Sequence, residues 1–329
     1  MKPSSAPTCS VIVRCYNEQR HIGRLLDGIF HQTVEDIEIV VVDSGSTDRT
    51  VEIAQRYPVK VVEIRKEDFS FGYSLNVGCQ HARGDYLVLA SAHVYPTYDD
   101  WLEQLLEPFA DPEVALVYGR QVGNEVTRFS ERQVFRSWFP EQSEREQPHP
   151  FCNNANAAVR RSVWEKLPYD EALTGLEDIA WAKAAMARGH RITYAAEAEV
   201  VHVHEETPMQ IFRRYEREAI ALKAIYPHNR SSLWTFLRLV SSTVFSDWRQ
   251  ALREGVLARN FFDVLVFRAL QFWGAYWGNS LHGPISDQLR MRLYYPVRGT
   301  DADSDAGRSK ARPIHYIPAL HGDRRGPVG

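Results

Sequence analysis

Two stretches of this 329-residue chain put reactive side chains where an apolar run stops. IEIVVVDSGSTD passes from a hydrophobic run into Asp43, Ser44, Gly45 and Ser46. A short Ser/Gly loop lets backbone amides and hydroxyls come close to a nucleotide base or ribose, and Asp43 can accept hydrogen bonds from it. The same composition also makes an ordinary turn. LVLASAHVYP likewise runs from Leu87–Ala90 into Ser91, Ala92 and His93, and a third polar cluster, Arg14 to Glu18, closes CSVIVRCYNE. In open α/β sheets, ligands bind outside the carboxyl ends of the strands, so the three clusters are expected to share one cleft. No GxGxxG follows the first apolar run and no GxxxxGK(S/T) occurs, which argues against a dinucleotide fold or a P-loop.

Positioning these clusters requires alternating strands and helices. CSVIVRC, IEIVVVD, VKVVEI and DYLVLA read as strands, almost continuously apolar, as in a parallel sheet covered on both faces. Between them, EQRHIGRLLDGIFHQ puts Ile22, Leu25, Leu26 and Ile29 on one helical face, RTVEIAQRY forms a second helix before Pro58, and SLNVGCQHARG a third, ending at Gly84. This order predicts an α/β layer fold with a mostly parallel sheet flanked by helices. Further on, VALVYGRQV reads as a strand, residues 128–150 as a charged, Pro-punctuated loop or lid, and EDIAWAKAAMARG as a helix. RITYAAEAEVVHVH reads as a pair of strands. From Thr207 the pattern turns helical and aromatic, and the polar tail from 300 to 329 is expected to be mobile.

The bulk numbers narrow the class. A net charge of −3 and 25% charged residues give no footing for a general nucleic-acid binder. Four widely spaced cysteines without a CxxC pair read as free buried thiols in a reducing compartment. No run approaches the roughly 18 uninterrupted apolar residues of a spanning helix, and the opening MKPSSAPTCSVIV has too short an apolar run for a secretory signal. A cytoplasmic location follows as the expectation, with the inner face of the cell membrane left open.

Taken in order, VIVRCYNE, IVVVDSGSTDRT, SLNVGCQHARGDYLVLASAHVYP and GLEDIAWAKAAMARGHRI resemble the motifs of the family 2 glycosyltransferases, which have the GT-A fold. The resemblance covers roughly residues 8 to 205. FGYSLNVG, VYGRQ and FCNNANAAVRRSVWE are similar to the bacterial rhamnosyltransferase-like branch that builds surface polysaccharides. It implies an inverting transfer of a sugar from a nucleoside diphosphate donor to a hydroxyl acceptor. Arg14, Tyr16, Glu18, Asp43, Ser46, Asn76 and Ser91 become the nucleotide-sugar candidates. Glu177 and Asp178 match the family's Glu-Asp pair, with Asp178 as general base; a charged first turn complementing the helix dipole is the plainer reading. Asn153, Asn154 and Trp181 would lie on the acceptor side.

The chain departs from the family at Ser91-Ala92-His93, where most relatives carry Asp-x-Asp to hold a divalent ion against the diphosphate. Three readings stay open. His93 with His202 and His204, which are two apart and so share one face of a strand, could ligate the ion, imidazole suiting Mn²⁺ better than Mg²⁺. Arginines such as Arg120 or Arg213 could meet the diphosphate without metal. Or the protein could be a degenerate transferase that binds or scaffolds. A sugar nucleotidyltransferase is disfavoured, because its basic, glycine-rich signature is missing near the N-terminus.

The resulting expectation is a GT-A-like catalytic domain over 1–206, with a nucleotide-sugar half over about 8–96 and an acceptor half over about 97–206. A helical extension follows over 207–299. Expected partners are a nucleoside diphosphate sugar and a glycan or lipid-linked acceptor, with no nucleic acid. The expected cofactor is a divalent cation, Mn²⁺ or Mg²⁺. FRALQFWGAYWGNSLHG sets aromatic rings beside basic residues, which fits either a peripheral membrane contact or a homo-oligomer contact through the C-terminal helices.

Overall fold

The computed structural model describes residues 8–227, 232–281 and 312–316. Its eight strands form one sheet: β1 (Cys9–Cys15), β2 (Ile37–Asp43), β3 (Lys60–Glu63), β4 (Tyr86–Ser91), β5 (Val94–Pro96), β6 (Val114–Val122), β7 (Asn156–Arg160) and β8 (Arg191–His202). The order is β3-β2-β1-β4-β7-β6-β8-β5. The first four in that order are all parallel, β7 runs antiparallel to both neighbours, and β6 and β8 are parallel again. The expected α/β architecture with a mostly parallel sheet is present.

The apolar strands are buried on both faces because alternate residues serve two cores. Val11, Val13, Val41 and Val88 pack with Leu25 and Ile29 of α1 (Ile22–Phe30) and Trp101 of α4 (Trp101–Leu106), α2 (Thr50–Ala54) lying beside them. Ile12, Val40, Val42 and Leu89 face the other way, against Leu75 and Cys79 of α3 (Phe71–His81). The register aligns the strand ends, with Arg14 opposite Ser91 and Cys15 opposite Asp43. All four cysteines are buried free thiols, as expected.

Three local expectations change. The segment read as a loop contains α5 (Phe129–Trp138), whose Phe129 and Phe135 are buried anchors; its many charges had masked that spacing. Residues 191–204 hold one strand, not two, with irregular register against β6 at Gly119/Gln121 and the three-residue β5 along its far edge. In the tail, residues 312–316 dock rather than dangle: Tyr98 bridges Pro313, and Tyr316 donates to the Pro96 carbonyl at 2.8 Å. The rest of 300–329 lies outside the described residues.

After the short α6 (Arg161–Trp164) and α7 (Glu177–Met186), the C-terminal extension is helical: α8 (Pro208–Ile225), α9 (Leu233–Arg253) and α10 (Leu257–Ser280). Thr207 and Gln210 form a capping box that starts α8. Gly274 and Gly278 let α10 lie directly on the α8 backbone, since a Cβ at either would meet the carbonyl oxygen of Phe212 or Glu216.

Candidate active site

The β2–α2 turn is built around Asp43. Its Oδ2 accepts from the backbone N–H of Gly45 at 3.0 Å and of Ser46 at 2.9 Å, and its Oδ1 from the Ser46 hydroxyl at 2.5 Å. Gly45 sits at φ +82°, a conformation that suits glycine. The β1 end is laced to this turn: Asn17 N–H donates to Ser46 Oγ (2.8 Å), Thr47 N–H to Asn17 Oδ1 (2.8 Å) and Glu18 N–H to Thr50 Oγ1 (2.6 Å). Tyr16 receives a hydrogen bond from Lys66 at 2.7 Å. Arg14, Tyr16, Glu18, Asp43 and Ser46 therefore stand on one connected rim, with Ser91 on the adjacent strand.

Arg14 ties that rim to the Glu-Asp pair. Its guanidinium donates to Glu177 Oε1 and to the Phe71 carbonyl, each at 3.3 Å, and lies 5.1 Å from the Phe71 ring centre. Leu176, just before α7, has φ +54°, a left-handed conformation unusual for a branched side chain. Asp178 is 7% exposed; its carboxylate accepts from the N–H of Ile179 at 2.8 Å and of Asn154 at 3.2 Å. Burial, with Glu177 beside it, raises its pKa to about 7. The Asn154 side chain reaches Glu177 Oε1 at 3.4 Å. Asn153, half-buried, caps the same turn by accepting from Ala155 N–H.

The three histidines converge. Val94 of β5 pairs with His202 of β8, which places His93 beside it; the rings of His93 and His202 stack with centres 5.0 Å apart. One ring nitrogen from each of His93, His202 and His204 lies within 4.8 Å of the others. Each Nδ1 also has an acceptor: Glu18 Oε1 for His93 (3.1 Å), Gln121 Oε1 for His202 (2.6 Å) and Glu131 Oε1 for His204 (2.6 Å). Burial and the neighbouring histidines keep His202 well below the usual imidazole pKa, so it is neutral. The Nε2 atoms of His202 and His204 face each other at 2.9 Å, a spacing that calls for a proton or a cation between them. A shared cation relieves that contact, and carboxylate- or amide-oriented imidazoles are the usual surroundings of a metal ligand. The residues present fit a divalent cation of transition type.

Some expected residues are engaged elsewhere. Asn76 donates to the Tyr169 carbonyl and Glu171 and accepts from Trp164 Nε1 and Tyr169 N–H, so its whole amide clamps α3 to residues 164–171 rather than lining a nucleotide pocket. Trp181 is buried against Tyr169 with its indole N–H on the Leu167 carbonyl, so it packs the core instead of shaping an acceptor face. Arg120 pairs with Glu199 and Glu141, and Arg213 with Glu216. Sequence reasoning missed Gln121, Glu131 and Phe71. For Glu131 the available signal was its place two residues after a buried Phe in a segment with helical spacing.

Comparison with known proteins fits this layout. Residues 10–167 match the family described as Glycosyl transferase family 2; the match ends before Glu177. The chain is 28% identical over 222 residues to the O-antigen chain rhamnosyltransferase RfbN of Salmonella typhimurium, covering 63% of this chain and 69% of that protein. To the O-antigen chain rhamnosyltransferase WbaN of Salmonella anatum it is 29% identical over 221 residues, covering 64% and 70%. A solved mannosyltransferase, PcManGT from Pyrobaculum calidifontis in complex with GDP-Man and Mn²⁺, superposes with a TM-score of 0.56 at 22% identity, over 83% of this chain and 85% of that one. At that identity the likeness speaks for the fold, which is GT-A.

Proposed function

We propose that the protein, whose residues 10–167 match Glycosyl transferase family 2, moves a sugar from a nucleoside diphosphate sugar to a hydroxyl acceptor with inversion, in the synthesis of surface polysaccharide or glycolipid. The observation that carries this reading is Asp178: a nearly buried carboxyl with a pKa raised to about 7, held by two backbone N–H groups and joined through Glu177 to Arg14 on the donor rim. A base so tuned is ionised in a useful fraction at neutral pH yet basic enough to take a hydroxyl proton. In the transfer, the acceptor oxygen forms a bond to the anomeric carbon as its proton passes to Asp178. The bond from that carbon to the diphosphate oxygen breaks on the opposite face, and the nucleoside diphosphate departs.

Asp43 and the Ser46 loop would hold the base and ribose, and Arg14 would steady Glu177 against the donor. His93, His202 and His204 would hold a divalent cation, which when bound offsets negative charge on the diphosphate. The two rhamnosyltransferase relatives support a deoxyhexose donor. The test is release of nucleoside diphosphate from UDP-, dTDP- and GDP-sugars in the presence of a lipid-linked glycan fraction. Asp178→Asn should lower turnover by about 10²–10⁴-fold while leaving nucleotide affinity within a factor of a few. Unchanged turnover in that variant removes Asp178 as base. No turnover by the wild type with any donor favours a binding or scaffolding protein.

A further inference from the structure

We propose that the outer face of α9 and α10 is a docking surface for an anionic lipid bilayer. The two helices pack side by side, with Trp248 stacked on Phe261 at 4.4 Å between ring centres and Phe236 edge-on to Trp273 at 5.6 Å. They therefore present one continuous face. On it Trp234, Phe245 and Leu252 fall three and five helical turns apart along α9, and Phe262, Trp273 and Trp277 line α10. Trp234 and Phe262 are each 75% exposed, far more than an interior or even an ordinary surface position asks of an aromatic ring.

Charge identifies the occupant. Between residues 233 and 280 there are three acidic residues, and each is turned to the protein: Asp247 pairs with buried Arg268, Glu254 with Arg136 and Asp263 with Arg128. Four arginines of the same stretch, Arg238, Arg249, Arg253 and Arg259, are exposed and form no ion pair among the described residues. The face thus offers rings and guanidinium groups to the outside and no free carboxylate. Indoles and guanidinium groups together suit the headgroup level of an anionic membrane, with the rings at the acyl boundary and the cations on phosphate. A second copy would bring arginines towards arginines with no carboxylate to receive them. No described helix is long and apolar enough to cross a membrane, so the contact is with the surface of the bilayer.

The test uses the full chain and vesicles, without donor or acceptor, so its result is independent of the transfer reaction. Sedimentation with phosphatidylcholine vesicles containing about one-third phosphatidylglycerol should bind the protein at least tenfold more tightly than phosphatidylcholine alone, and salt should weaken it. Trp234→Ala/Phe262→Ala, at the most exposed rings, and Arg249→Glu/Arg253→Glu should each lower anionic-vesicle binding by about tenfold with the thermal melt unchanged. Binding that is absent, or equal on both vesicle types, overturns the proposal. So does a lipid-free dimer, seen by light scattering, that the same variants dissociate, since the face then belongs to a second copy.

Discussion

The Nε2 atoms of His202 and His204 lie 2.9 Å apart, while the other nitrogen of each ring is held by Gln121 or Glu131. His202 ends β8 and His204 lies two residues beyond it, a spacing that does not by itself turn nitrogen to nitrogen. The outward hydrogen bonds impose that orientation, and the short β5 strand brings His93 against the pair.

Metal addition is therefore expected to stabilise the protein, and Mn²⁺ to do so more than Mg²⁺. At about 100 times the dissociation constant the gain should be roughly 2.7 kcal/mol, measured by thermal unfolding with each ion and with EDTA. His202→Ala should abolish the shift, and Glu131→Gln should weaken Mn²⁺ binding about 10–100-fold in titration calorimetry. If EDTA and both ions leave the melt unchanged, a proton between the two Nε2 atoms fills the gap and the cluster is not a metal site.

Asp178 sets a pH dependence whose sign can be worked out. Its pKa rises from 3.8 to about 7 on folding, so between those values the folded state keeps a proton that the unfolded chain gives up. Its contribution to stability is full below pH 4, declines as pH rises through that window and is gone above about pH 7. Turnover should move the other way, rising as the carboxylate forms near pH 7. Parallel pH profiles of unfolding free energy and initial rate check both, and Asp178→Asn should flatten the first and remove the rising limb of the second. A rate limb that survives in the variant belongs to another group.

Asn76→Ala separates packing from binding. Removing an amide with four hydrogen bonds leaves the Trp164 and Tyr169 N–H groups and the Tyr169 carbonyl without it, which should lower stability by about 3 kcal/mol. Nucleotide affinity of the folded variant should stay within threefold of wild type. A tenfold loss of affinity in a variant of ordinary stability would restore Asn76 to the donor site.

The sheet was legible because buried parallel strands write themselves as apolar runs. The clustering of Arg14, Asp43 and Ser91 at one end of the sheet was legible too, since each sits where one of those runs ends. The histidine cluster was half legible: alternation put His202 and His204 on one face, but only pairing between β5 and β8 could add His93, and three residues are too short a strand to read from pattern. α5 was hidden because its buried Phe129 and Phe135 are diluted by Glu131, Arg132 and Arg136. Asn76 and Trp181 were misplaced for a common reason. Motif position says where the backbone goes, whereas the direction of a side chain depends on the segment packed against it, here residues 164–171.

Ser130 and Glu131 are consecutive on α5. The Ser130 carbonyl accepts from Arg268 of α10 at 3.3 Å, and the Glu131 carboxylate from the His204 ring. The exposed helical pair and the imidazole cluster are thus fastened to neighbouring residues of a single turn. A displacement of α10 therefore has one peptide unit to cross before it reaches the carboxylate that orients the His204 ring.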